Sequence, residues 1–121
     1  MPAFEWLTED GSRVYACRTC HAHLAKEAHL KSVNFHALSG DAYLFSAVCN
    51  VRRGALLEKT MTTGAHTTAD IACCGCGTVV GWYYHEAVER AQFYKEGMYI
   101  LELARILPLR DDEEAEEDAG V

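Results

Sequence analysis

Two cysteine pairs carry the clearest chemistry in this 121-residue sequence: Cys17-Arg-Thr-Cys20 and Cys73-Cys74-Gly-Cys76. Each has the C-x2-C spacing that turns the backbone so that both sulfurs face one cation. Zinc (Zn2+) takes four ligands in a tetrahedron, at about 2.3 Å for sulfur. Two such knuckles supply the whole set and leave no open position for water, so the site reads as structural rather than catalytic. The metal would join parts of the chain that are distant in sequence, closing a long loop against its entropy. The competing reading is a redox disulfide pair, but neither knuckle sits in the strand–helix context of a thioredoxin-type motif. His21 and His23 beside the first knuckle are rival ligands, set aside because four thiolates already complete the tetrahedron. Using Cys74 would break the two-residue spacing, and Cys49 reads as a small apolar residue in a strand.

A second constellation is aromatic. Gly81-Trp82-Tyr83-Tyr84 lies in the most strand-like run of the chain. Side chains two apart on a strand share a face, so Trp82 and Tyr84 should point the same way. His66, on the strand leading to Cys73, is a candidate third wall of a ligand cage. Aromatic faces suit cationic or flat amide ligands, and an indole adds one N–H donor. The blander reading is that these rings pack the junction between sheets, as most aromatics at strand spacing do. His29, His36 and His85 are expected to be exposed or locally satisfied, and Lys95 to pair with Glu102 across the last hairpin.

Charge narrows the partners. The net charge is −7, yet residues 111–118 alone hold seven acids and no base. The remaining eleven acids balance all eleven Lys and Arg residues, so the body is neutral and the charge sits in the tail. A neutral body lacks the basic footprint of a nucleic-acid binder, and no such partner is expected. No stretch reaches the roughly 18 apolar residues of a membrane span, and no basic start leads into an apolar run. A reducing compartment, where paired cysteines bind metal, is the expectation.

These sites must be positioned by a mainly β domain. Residues 1–12 read as an arm, 13–108 as the zinc-binding domain, and 109–121 as a disordered acidic tail. Strands are expected at Arg13–Cys17, Ala42–Val51, Leu56–Thr63, Ala65–Cys73, Thr78–His85 and Met98 to about Arg105. Leu24–Leu30 is expected to form a short helical turn. Ser39-Gly40-Asp41 and Lys95-Glu96-Gly97 read as turns.

From Cys17 to Glu102 the chain resembles the Yippee family of small zinc-binding proteins. The resemblance runs through Cys17, Cys20, Gly40, Leu44, Asn50, Gly64, Cys73, Cys76, Gly81-Trp82, Tyr84, Lys95 and Glu102. It implies a β-tent, two antiparallel sheets pinned by one structural zinc. The same fold is implied for the cereblon thalidomide-binding domain, the Mis18 kinetochore proteins and the B-type methionine sulfoxide reductases. Cereblon-like domains build a ligand cage around a comparable Gly-Trp-x-aromatic run, although its other tryptophans have no counterpart here. The resemblance further implies a monomeric, non-enzymatic adaptor of the nucleus and cytoplasm, with protein partners such as a ubiquitin-ligase assembly. The acidic tail and Arg52-Arg53 depart from it. The rival is a sulfoxide reductase on the same scaffold. That chemistry needs a nucleophilic cysteine beyond the second knuckle, and none follows Cys76.

Overall fold

The structure, a computed structural model, describes residues 13–109. The expectations for the arm and for the acidic tail beyond Leu109 lie outside the described residues. The chain begins with β1 (Val14–Cys17) and β2 (His23–Lys26), followed by a 3-10 turn at Glu27–His29. It continues through β3 (Leu30–Ala37), β4 (Gly40–Phe45), β5 (Val51–Met61), β6 (Gly64–Cys73) and β7 (Val79–Ala87). A second 3-10 segment, Arg90–Lys95, leads to β8 (Tyr99–Glu102), and a third, Leu103–Arg105, to β9 (Ile106–Leu109). The strands form two antiparallel sheets, a small one in the order β2-β1-β9 and a large one in the order β3-β4-β8-β7-β6-β5.

Apolar patterning explains the assembly. All four residues of β1 are buried, as expected of a strand clamped between β2 and β9 under the large sheet. Tyr15, Leu24 and Ile106 of the small sheet pack on Phe45, Ile71, Val80 and Leu101 of the large one. Tyr15 meets Phe45 and Tyr43 edge-on, with ring centroids 5.4 and 6.1 Å apart. A second cluster, Ala42, Leu44, Tyr84 and Ile100, is joined by Phe35, Met61, Trp82 and Met98. Phe35 stands on one edge strand and Met61 on the other, so the large sheet curls around Tyr84 to bring both onto it. Gly81 is the close-approach point, because a Cβ there would overlap the Ile100 carbonyl of β8.

The mainly β class and the two antiparallel sheets agree with expectation, as does the Gly64 hairpin. Several boundaries differ. The helical turn expected over Leu24–Leu30 is split between β2 and the 3-10 turn, because Leu24 and Ala25 are buried in pairing with β1. Ala42–Val51 is not one strand: β4 stops at Phe45 and β5 starts at Val51. Cys49 therefore lies in an irregular segment, half-buried, with its Sγ 3.4 Å from the His23 carbonyl. The last expected strand breaks after Glu102 so that the chain can cross to the small sheet as β9, whose strand runs to Leu109.

Candidate functional site

The two knuckles close in the same way. The Cys17 amide donates to the Ala22 carbonyl (2.8 Å), and the His21 amide returns a bond to the Cys17 carbonyl (2.7 Å). Five residues on in the second knuckle, Thr78 accepts from the Cys73 amide (2.8 Å), while Gly77 donates to the Cys73 carbonyl (2.7 Å). These reciprocal bonds fold each C-x2-C segment so that its sulfurs project to one side. Cys17 ends β1 of the small sheet and Cys73 ends β6 of the large one, so the cluster sits where the sheets meet.

Cys17 Sγ lies 3.6 Å from Cys76 Sγ, and Cys20 Sγ lies 3.5 Å from Cys73 Sγ. All four sulfurs fall within 4.8 Å of one another. A tetrahedron of thiolates about 2.3 Å from zinc has edges of about 3.8 Å, so these four sulfurs fit that ion. Burial pushes the Cys73 thiol up to about 12, against hydrogen bonds from the Gly75 and Cys76 backbone, and a cation beside it would favour the thiolate further. Hydrogen bonding from Thr78 holds Cys76 down at about 7. Cys74 and the two rival histidines stay outside the cluster.

Backbone bonds brace the centre from both sides. The Arg18 amide donates to the Arg105 carbonyl (3.0 Å), and its guanidinium to the Ile106 carbonyl (2.9 Å), tying the first knuckle to β9. The Cys74 amide donates to the Asn50 carbonyl (2.8 Å), and the Asn50 side-chain amide to the His23 carbonyl (2.6 Å). Asn50 thus links the second knuckle to β2. It does so from the left-handed region (φ 59°), which asparagine tolerates better than most residues. Reading the spacing alone missed this brace; a polar residue closing the apolar run Ala47-Val48-Cys49 was the available signal.

The aromatic residues also share a face, as expected. Trp82 and Tyr84 meet edge-on at 6.3 Å, and the His66 ring lies 5.3 Å from Tyr84. Their exposure is unequal. Tyr84 and His66 are buried, at 2% and 1%, while Trp82 is half-buried at the rim. His66 Nδ1 sits 2.9 Å from the Gly64 carbonyl, an acceptor, so Nδ1 carries the proton. His66 Nε2, Thr68 Oγ1 and the Trp82 indole N–H are buried without a hydrogen-bond partner. The indole lies near enough to the Tyr84 hydroxyl to favour its ionised form, but burial dominates and raises the phenol overall.

Lys95 and Glu102 do not pair. Lys95 is 3% exposed and donates to Thr63 Oγ1 (3.0 Å), whereas Glu102 accepts from the Ser39 hydroxyl (2.6 Å). The Lys95 ammonium instead faces the rings of Phe35 and Tyr84, each 5.3 Å away, and Tyr94 at 6.0 Å. His36 is satisfied locally by Asp41 at 3.4 Å.

A family model described as Yippee zinc-binding/DNA-binding/Mis18, centromere assembly, matches residues 13–120. A yippee-like protein of Arabidopsis thaliana is 50% identical over 95 residues, 78% of this chain and 74% of that protein. The human protein yippee-like 3 is 44% identical over 104 residues, covering 86% of this chain and 87% of its own length. Among solved structures, the Mis18 'Yippee-like' domain superposes with a TM-score of 0.67 at 16% identity, over 82% of this chain and 96% of that one. At that identity the likeness concerns the fold.

Proposed function

We propose that this chain, which belongs to the Yippee-like family, is a non-catalytic, zinc-pinned binding module that engages a protein partner through the surface around Trp82. Cys17, Cys20, Cys73 and Cys76 would hold the ion, which supplies a rigid joint between the two sheets and no reactive position. The observation that carries the binding role is Trp82 itself: its ring reaches the surface while its indole N–H is buried without a partner. A structural tryptophan ordinarily satisfies that donor within the fold, whereas binding sites leave polar groups aimed at a ligand.

The family description also carries DNA binding. Charge argues against that role here, since Lys and Arg are matched by acids outside the tail and Lys95 is buried. A methionine-sulfoxide-reductase-like enzyme is the alternative, but that chemistry needs a nucleophilic cysteine beyond the second knuckle, and this sequence has none after Cys76. We place the protein in the nucleus and cytoplasm, with a ubiquitin-ligase assembly as one candidate partner, on the family resemblance. Affinity capture with mass spectrometry tests the module. Proteins retained by the wild type and lost with Trp82→Ala support it; an identical set from a folded Trp82→Ala protein contradicts it.

A further inference from the structure

β5 is the outermost strand of the large sheet, and among the described residues it pairs only with β6. It runs for 11 residues, and every one between Val51 and Met61 is exposed. Its outer edge thus presents a long row of backbone N–H and C=O groups to solvent. Arg53 lies opposite Ile71 and Leu56 opposite Ala69, so a bulge at Gly54-Ala55 fits three steps of β5 to two of β6. The bulge puts Arg53 and Leu56 on one face. That face also carries Tyr83, opposite Ala69, and Tyr99, opposite Tyr83. Trp82, next to Tyr83 on the same strand, points to the other face.

Arg53 is held on this face rather than trailing into solvent. Its guanidinium carbon sits 3.7 Å from the Tyr83 ring centroid and 5.6 Å from that of Tyr99, and it donates to the Tyr99 hydroxyl (2.7 Å). No carboxylate among the described residues pairs with it. A guanidinium fixed by stacking keeps N–H donors in a fork that matches a carboxylate, with little rotamer freedom left to lose on binding. Leu56 stands beside it, 51% exposed. We infer that β5 is a docking edge for an extended segment of a partner protein, which adds a strand to the sheet, sets a carboxylate on Arg53 and lays an apolar side chain on Leu56. Residues 111–118 of this chain also offer carboxylates, but no large apolar side chain for Leu56, and Asp and Glu are poor strand formers. A polyanion such as nucleic acid finds a neutral body around one fixed cation. This edge is separate from the Trp82 surface and does not depend on it.

The test follows the β5 amide resonances and the Arg53 Nε–H resonance of the full chain, the latter assigned by its loss in Arg53→Gln, during titration at constant ionic strength. The probe is the capped peptide acetyl-Lys-Thr-Glu-Thr-Val-Thr-Lys-amide, whose acid and valine share a face when extended. It should shift both sets saturably and slow hydrogen exchange along β5. Replacing its glutamate by glutamine, or using Arg53→Gln with the original peptide, should weaken binding by about tenfold or more, the loss expected for one charge-assisted hydrogen bond. Replacing both inner threonines by proline, which removes backbone donors, should abolish it. Arg90→Gln, which removes an exposed charge outside β5, should bind as the wild type does. If Arg53→Gln fails to fold, the glutamine peptide alone must still show the loss. Resonances unmoved by the peptide, or moved as strongly by the proline peptide, the glutamine peptide or a single-stranded thymidine oligonucleotide, overturn the inference. So does a wild type that ignores the peptide while amide replacement of the seven carboxylates in 111–118 shifts Arg53, which would make the chain's own tail the occupant.

Discussion

His21 and Gly77 are the same residue of two copies of one turn. Each follows the second cysteine of its knuckle, each donates its amide to the first cysteine's carbonyl at 2.7 Å, and each lies in the left-handed region, at φ 67° and 79°. The position is set by the knuckle, which must turn the chain sharply to aim two sulfurs at one point. One knuckle meets the demand with glycine, and the other holds a side chain there at a backbone cost of about 1–2 kcal/mol.

That equivalence predicts opposite effects for two exchanges. Open space surrounds the Cβ position of Gly77, so Gly77→Val should suffer only backbone strain, roughly 1–3 kcal/mol. His21→Gly should hold stability within about 1 kcal/mol of wild type, strain relief offsetting the added freedom of the unfolded chain. Thermal melting of the metal-loaded proteins checks both, and a His21→Gly loss larger than that of Gly77→Val would refute the equivalence.

Gly81 differs in kind. Its backbone is unremarkable, but a Cβ would overlap the Ile100 carbonyl and force β7 from β8 in the middle of the large sheet. Gly81→Ala should destabilise by about 4 kcal/mol or more, among the largest effects a single methyl can have. Circular dichroism and soluble yield read this directly; a folded, wild-type-like Gly81→Ala protein would contradict the close approach.

Trp82 and Tyr84 should separate by burial. Tyr84 is 2% exposed at the centre of the second cluster, and Tyr84→Ala should cost about 3–5 kcal/mol through the cavity it leaves. Trp82 sits at the rim of that cluster and should cost distinctly less when replaced by alanine, while losing partner capture. Equal destabilisation by the two substitutions would place Trp82 in the core and remove it from the surface.

Much of this was legible in the sequence because knuckle spacing and period-two aromatics are local signals. The four cysteines need only two short motifs, and Trp82 and Tyr84 share a face by strand geometry alone. The role of Lys95 was not legible. Its ammonium is satisfied by Thr63 and by rings from β3 and β7, a neighbourhood created by the curl of the large sheet rather than by adjacency in sequence. The crossing of the chain from β8 to β9 was hidden for a similar reason. Ile106 pairs with Cys17, so the strand break after Glu102 is dictated by the far end of the molecule.

Lys95 makes a further stability claim. A lysine buried with no carboxylate beside it among the described residues contributes little net stability, since desolvation offsets its bond to Thr63. Lys95→Met, which keeps the stem, should melt within about 1 kcal/mol of wild type or above it. The sign with pH follows: the amine titrates lower when folded, so stability should rise as pH climbs through the folded value and level off above the unfolded one. Chemical denaturation across the alkaline range, wild type against Lys95→Met, should show that rise only in the wild type.

In the proposed module one ion joins the two sheets through Cys17, Cys20, Cys73 and Cys76, and metal content measured alongside folding is the sharpest test of that joint. Elemental analysis should find one zinc per chain in the wild type, in Cys49→Ala and in Cys74→Ala. Cys17→Ser or Cys76→Ser should lose it and unfold, because structural zinc contributes on the order of 10 kcal/mol, more than many small domains possess. Affinity should weaken as pH falls, since the thiols must shed their protons to bind, that of Cys73 most of all. A Cys17→Ser protein that stays folded without metal, or a wild type that purifies folded and free of zinc, would contradict the account.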